Sequence, residues 1–287
     1  MVKIPVHDPF IPTLIDGVSE SRISVFDRSV HYGDGVFETV AVHAGVPLLW
    51  ERHLQRLRAG CRLLGLAVQD TDVLRAEIDL LCRDRERAVV KIIISRGCGG
   101  RGYAPPVGTK PVRIVSVWPW PEHPVRYARL GVKVRWCGTP ASINPQLAGI
   151  KHLNRLEQVL ARAEWDREFA EGLMCDPSGY VVEGTMSNVF GVSDGVLVTP
   201  DLSQAGVAGV MRAEVIAAAQ TLGLRCTERR ITAAEFERMD EVFLTNSIIG
   251  LWPVVALEDS RYDIGAISRL LQEAVRDAQC FEVGGDT

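Results

Sequence analysis

Three prolines and two tryptophans fall in nine residues, WPWPEHPVR at 118–126 of a 287-residue chain. Proline fixes φ and has no backbone N–H, so this density rules out a continuous helix or a central strand across the segment. The stretch predicts an inter-domain linker over 119–127, with a small α+β domain at 1–118 and a larger α/β domain at 128–287. A chain of this length can bury a core in each of two such domains.

Before the linker, Leu54, Leu57, Cys61 and Leu64 recur at helical spacing, which predicts a helix over 51–64 stopped by Gly65. A second helix is expected over 72–85, capped by Asp70 or Thr71. The β-branched runs AVVKIIISR (88–96) and VRIVSVW (112–118) predict buried strands. After the linker, short apolar runs are joined by turn signals at Pro177-Ser178-Gly179 and Asp194-Gly195, so a mostly antiparallel sheet is expected. Helices are expected over 154–165, 209–223 and 263–279. In the first of these, Leu156, Val159, Leu160 and Ala163 make one apolar face.

The charge pattern removes several partners. The formal net charge is −4, and arginines alternate with acids in Arg83-Asp84-Arg85-Glu86-Arg87, so no basic tract invites nucleic acid. The seven cysteines are scattered singly, with no CxxC and no metal-ligand spacing beside histidine. Reduced thiols in the cytoplasm are the expectation. MVKIPVHDPFIP, broken by prolines, does not read as a secretory signal, and no apolar run approaches membrane-spanning length.

Five places carry chemistry. Lys151 follows the apolar residues Ala148 to Ile150 just ahead of a helix; most lysines are solvated, but a desolvated one is a competent amine nucleophile. Glu183 ends an apolar strand in GYVVEGTMSNVFGV, with Asn188 opening the next. It is an ordinary strand-end carboxylate or a buried acid that keeps a pyridine nitrogen protonated. AGVAGVMRAEVIAAA (205–219) opens a helix after glycine, where the N–H groups of Val210 and Met211 suit a phosphate. Arg56 lies off the apolar stripe of its helix. In RGCGGRGY (96–103), Arg96 and Arg101 offer planar, bidentate carboxylate binding on a glycine-rich turn, whose bland alternative is a hairpin tip.

The order of DRSVHYGDGVFET (27–39), HLQRL (53–57), Lys151, VEGTMSN (182–188), GVMR (209–212) and VFLTNS (242–247) resembles the fold-type IV pyridoxal-phosphate enzymes over residues 20–257. That group contains branched-chain and D-amino acid aminotransferases and the aminodeoxychorismate lyases. The resemblance implies a two-domain, D-amino acid aminotransferase-like fold of mixed α/β class. It implies Lys151 as the Schiff-base lysine, Glu183 facing the pyridine nitrogen and Arg56 on the phosphate. Asn188, Val210, Met211, Asn246 and Ser247 complete the cofactor set it implies. SRGCGGRGY and GIKHLNRLEQVLARAE look most like the bacterial lyases, and Leu156 stands where branched-chain aminotransferases carry Tyr. A lyase of that kind takes 4-amino-4-deoxychorismate to 4-aminobenzoate and pyruvate. Its small dicarboxylate substrate would meet Arg96 and Arg101, with Tyr32 and Tyr103 lining the entrance. A homodimer is also implied. The competing expectations are a D-amino acid or branched-chain aminotransferase of the same fold and a non-catalytic cofactor-binding protein.

Overall fold

Strands β3 (Gly35–His43) and β5 (Arg87–Ser95) pair antiparallel over their full lengths, Gly35 opposite Ser95 and His43 opposite Arg87. They form the centre of a six-stranded antiparallel sheet in the computed structural model, which describes residues 11–67 and 70–276. The sheet runs β2 (Val18–Ser19), β1 (Thr13–Ile15), β6 (Val112–Pro119), β5, β3, β4 (Val46–Pro47). Alternation sends Val36, Val40 and Val42 with Val90, Ile92 and Ile94 to one face. There they meet Leu54, Leu57 and Cys61 of α2 (Trp50–Leu64) and Leu74 and Ile78 of α3 (Thr71–Cys82). Each such side chain stabilises by roughly 1.5–3 kcal/mol on burial. Gly65 ends α2 at φ 62°, with its N–H on Arg62 O. Asp70 caps α3 by accepting from the N–H groups of Asp72 and Val73. The opposite face of the sheet carries Phe37, Thr39, Lys91 and Ile93, all half-buried.

The chain divides into two compact units: residues up to Pro121 with His152–Asn154, and Glu122–Lys151 with residues from Arg155 on. Pro119, expected in the linker, is the last residue of β6 opposite Ala88, and Arg126 already starts α4 (Arg126–Leu130). A strand terminus accepts proline because no further ladder bond is needed from it.

The second unit holds a nine-stranded mixed sheet. Its order is β12 (Cys226–Arg229), β11 (Val196–Pro200), β10 (Asn188–Ser193), β13 (Glu241–Asn246), β14 (Gly250–Leu257), β7 (Val132–Trp136), β8 (Glu171–Cys175), β9 (Val181–Gly184), with β15 (Ser260–Arg261) on β14. Pairing is antiparallel except at β11/β12, β14/β7 and β7/β8. Phe190 and Phe243 stack at 5.0 Å between centroids in its buried interior. Helices α6 (Val210–Thr221) and α8 (Ala266–Ala274) sit in the expected order. The expected end of α8 at Gln279, the tail after Asp277 and the opening MVKIPVHDPF lie outside the described residues.

One helix departs from expectation. α5 spans only Leu156–Arg162, and its apolar stripe faces outward: Leu156, Val159 and Leu160 are 71%, 61% and 55% exposed. Ala161 is buried instead, in the cluster of Ala141, Met174, Val182 and Leu202. Its small side chain lets the helix backbone approach the sheet closely, and that contact rather than the apolar stripe sets the rotation. No helix among the described residues is long and apolar enough to cross a membrane.

Candidate functional site

In the second unit, the turn between β9 and β10 is held from below by Glu171. This buried carboxylate accepts from Thr185 N and Oγ1, Met186 N and Ser187 Oγ. The turn places Glu183 at one end and Asn188 at the other, both inside the protein. Glu183 Oε2 accepts from Val207 N at 2.8 Å, and Asn188 Nδ2 lies 2.9 Å from Val207 O and 3.4 Å from the same Oε2. Burial drives the Glu183 carboxyl up to about 7, against the downward pull of the Val207 N–H and the charges of Arg155 and Lys151. An acid in that condition asks for a cation with an N–H to donate.

The 149–151 segment is stitched beside this acid. Gly149 N donates to Gly206 O and Ala208 N to Gly149 O, each at 2.9 Å. Gly149 and Gly206 take φ of 82° and 85°, a region open to glycine at little cost. Lys151, half-buried, emerges from this pairing, and its charge is felt at Glu183. The same strand of chain leads through Gly209 into α6, whose first turn has no side-chain cap although Val210 and Met211 are buried. The N–H groups of a first helical turn have no intrahelical acceptor. A Cβ at Gly209 would collide with Asn188 Oδ1, so only glycine keeps this approach open.

Asn246 and Ser247 lie at the end of β13 and in the turn after it. Asn246 holds its own turn, Nδ2 on Met186 O and Oδ1 accepting from Ile248 and Ile249 N. Thr245, opposite Asn188 in the ladder, has a buried hydroxyl with no hydrogen-bond partner among the described residues.

The remaining candidates belong to the first unit. Arg56 on α2 forks onto Glu38 of β3, Nε to Oε1 at 2.8 Å and Nη2 to Oε2 at 2.6 Å, and His53 Nδ1 sits 2.7 Å from Oε2. Burial would raise the Glu38 carboxyl; the charge and hydrogen bonds of Arg56, then those of His53, bring it down to about 2. Arg96 is buried, with Nε on Asp34 Oδ2, Nη1 on Gly65 O and Nη2 on Leu64 O, so its fork ties strand β5 to the end of α2. Arg101 and Tyr103 are exposed, and the Tyr103 ring lies 5.4 Å from that of Tyr32.

Sequence reasoning missed four of the residues above. Glu38, Glu171 and Asp34 declare themselves only through partners distant in the chain. Lys91 had a signal, a cation inside the apolar run AVVKIIIS. It sits on the sheet face away from α2 with its ammonium 5.4 Å from the Phe37 ring, and desolvation lowers its pKa. No acid pairs with it among the described residues.

The donor set fits pyridoxal phosphate: a primary amine, a buried acid raised by desolvation that a protonated ring nitrogen would match and an uncapped helix start that suits a phosphate dianion. Comparisons agree with that chemistry. The family model for class IV aminotransferases matches residues 35–257. An aminodeoxychorismate lyase from Vibrio harveyi is 38% identical over 264 residues, 90% of this chain and 97% of the relative. The crystal structure of 4-amino-4-deoxychorismate lyase from Pseudomonas aeruginosa superposes with TM-score 0.90 and 49% identity, covering 94% of this chain and all of that one. A PLP-bound hypothetical aminotransferase from Mycobacterium tuberculosis is 25% identical with TM-score 0.80, covering 93% and 98% of the two chains. From the matched segment and these relatives, the chain belongs to the class IV aminotransferase family.

Proposed function

We propose that this protein is a pyridoxal-phosphate-dependent aminodeoxychorismate lyase, converting 4-amino-4-deoxychorismate to 4-aminobenzoate and pyruvate. One observation carries the reading. Glu183, buried and raised to about 7, lies within the field of Lys151 in a chain sharing 49% identity with a solved lyase of that name.

When bound, the cofactor supplies an electron sink for the carbon that bears the substrate nitrogen. Glu183 would hold its negative charge against the ring nitrogen, aligned by the Val207 N–H. Val210 and Met211 would give backbone N–H groups to the phosphate, with Arg56, fixed by Glu38, as its cation. Asn188 keeps the helix start and the acid in register through Val207. Asn246 and Ser247 would close the phosphate side.

Lys151 would hold the cofactor through its amine between turnovers. With the substrate in place, the Lys151 Nζ would take the proton from the carbon bearing nitrogen. The carbon–oxygen bond to the enolpyruvyl group then breaks, the ring becomes aromatic, and the departing enolpyruvate takes up a proton to become pyruvate. Substrate atoms equal product atoms, with no added reagent. Arg101 and the desolvated Lys91 are the cations we assign to the two substrate carboxylates, with Tyr32 and Tyr103 in or against the loop that carries Arg101. We further read the protein as a cytoplasmic homodimer. Unpaired thiols at the described cysteines support the first part, and the outward apolar stripe of α5 supports the second.

The test is incubation of purified, cofactor-loaded protein with 4-amino-4-deoxychorismate. Equal release of 4-aminobenzoate and pyruvate, abolished by Lys151→Ala, is expected. Absence of both products, with turnover of an amino acid and keto acid pair instead, would replace the lyase by a transaminase.

A further inference from the structure

We propose that Arg28 is the positioning residue for the loop that carries Arg101, and thereby sets how the site meets a substrate carboxylate. The identity of the substrate rests on the lyase reading; the clasp itself is a matter of geometry within the first unit.

Arg28 opens the short helix α1 (Arg28–Tyr32) and is buried. Its Nε donates to Asp34 Oδ2 at 2.7 Å, Nη1 to Gly102 O at 3.0 Å and Nη2 to Tyr103 O at 3.0 Å. Both carbonyls follow directly on Arg101. Its backbone N–H reaches Gly97 O at 3.0 Å, and Gly99 N returns to Phe26 O at 3.2 Å. Gly102 N donates to the Tyr32 hydroxyl at 3.0 Å, and the Arg28 guanidinium lies 4.8 Å from that ring centroid. At Gly99 a Cβ would come within 2.9 Å of Arg28 Cδ, so the loop passes over the arginine stem as closely as glycine allows.

Asp34 completes the device by accepting from Arg28 and Arg96 on the same oxygen. Burial would push its carboxyl up; the two guanidiniums overcome that and hold it below its usual value. Arg96 is thus a brace, and the exposed Arg101 is the residue left to reach outward. A planar guanidinium fork is what this task needs, because one ammonium cannot bond two successive carbonyls and a carboxylate in fixed directions.

Arg28→Lys tests this. Losing two charge-assisted bonds to the loop should raise KM for 4-amino-4-deoxychorismate about tenfold. The kcat should stay within about twofold and the cofactor's visible spectrum should be unaltered, because the Arg28 guanidinium is engaged with Asp34 and the loop carbonyls. On an Arg101→Ala background, the same change should move KM by less than about twofold, since the loop then has nothing to place. Independent, multiplicative effects of the two substitutions, or a fall in kcat with KM unchanged, would overturn the proposal. Hydrogen exchange gives a readout without substrate: Gly102 and neighbouring loop amides should exchange faster in Arg28→Lys while β3 and β5 keep their protection. Unchanged loop exchange overturns it as well. If Arg28→Lys fails to fold, Tyr32→Phe removes the acceptor of the Gly102 N–H and is scored by the exchange criterion alone. A wild-type protein that releases no 4-aminobenzoate defeats the lyase reading alone, and the exchange result still decides whether Arg28 holds the loop.

Discussion

Two buried glutamates meet opposite fates. Burial lifts both, but Glu38 has Arg56 and His53 in hydrogen-bond contact and falls to about 2, whereas at Glu183 burial outweighs the Val207 N–H and the charges of Arg155 and Lys151, and its carboxyl rises to about 7. Between its ordinary 4.5 and about 7, folded cofactor-free protein holds a proton on Glu183 that the unfolded chain has released. Stability must then fall as pH rises through that window, by roughly 3 kcal/mol in all. Urea unfolding of the cofactor-free protein at pH 5 and pH 7.5 should show the loss, and Glu183→Gln, which cannot titrate, should lack it. Parallel pH profiles for the two proteins would refute the account. In loaded protein the ring cation should keep Glu183 ionised and flatten the slope. The burial of Glu183 was legible from the apolar residues before it, whereas the half-buried Lys151 stood out only through the resemblance of its segment. The partners of Arg96 were not legible at all, since its acceptors on Asp34, Leu64 and Gly65 are adjacent only after folding.

At the level of elements, helix α2 docks on β3 through more than its apolar stripe. His53 and Arg56 both close on Glu38, which points from the strand into the helix side of the sheet. Glu38→Gln would remove the buried carboxylate that both Nε and Nη2 of Arg56 meet. Removing one partner of a buried pair costs about 3–5 kcal/mol, so thermal unfolding should drop by well over 5 °C. Cofactor affinity should fall with it if Arg56 meets the phosphate, and a variant with wild-type stability would refute the docking argument. The stripe of α2 was readable because one face of a long helix has a single core to meet. α5 was misread for the converse reason: periodicity reports that Leu156, Val159 and Leu160 share a face but not what the face looks at. At Ala161 a small residue gave the closer packing against Met174 and Val182.

For the whole molecule, that outward stripe is the unresolved surface. Single exposed leucines are ordinary, but three large apolar side chains on two turns of one helix leave a continuous patch in water. The first unit adds Val25, Phe26 and Val30, each more than half exposed. A stable interface buries about 800 Å² on each partner, more than the α5 stripe alone supplies, so a second copy would have to cover other surface as well. Light scattering on the eluted protein should therefore give about twice 31.6 kDa. Leu156→Glu combined with Val159→Glu places two charges on that face without touching Ala161, so the helix should still pack on its own sheet. The double variant should elute as a folded monomer with unchanged circular dichroism. A wild-type monomer at micromolar concentration, or a double variant that remains dimeric, would mean that α5 faces something other than a second copy of this chain.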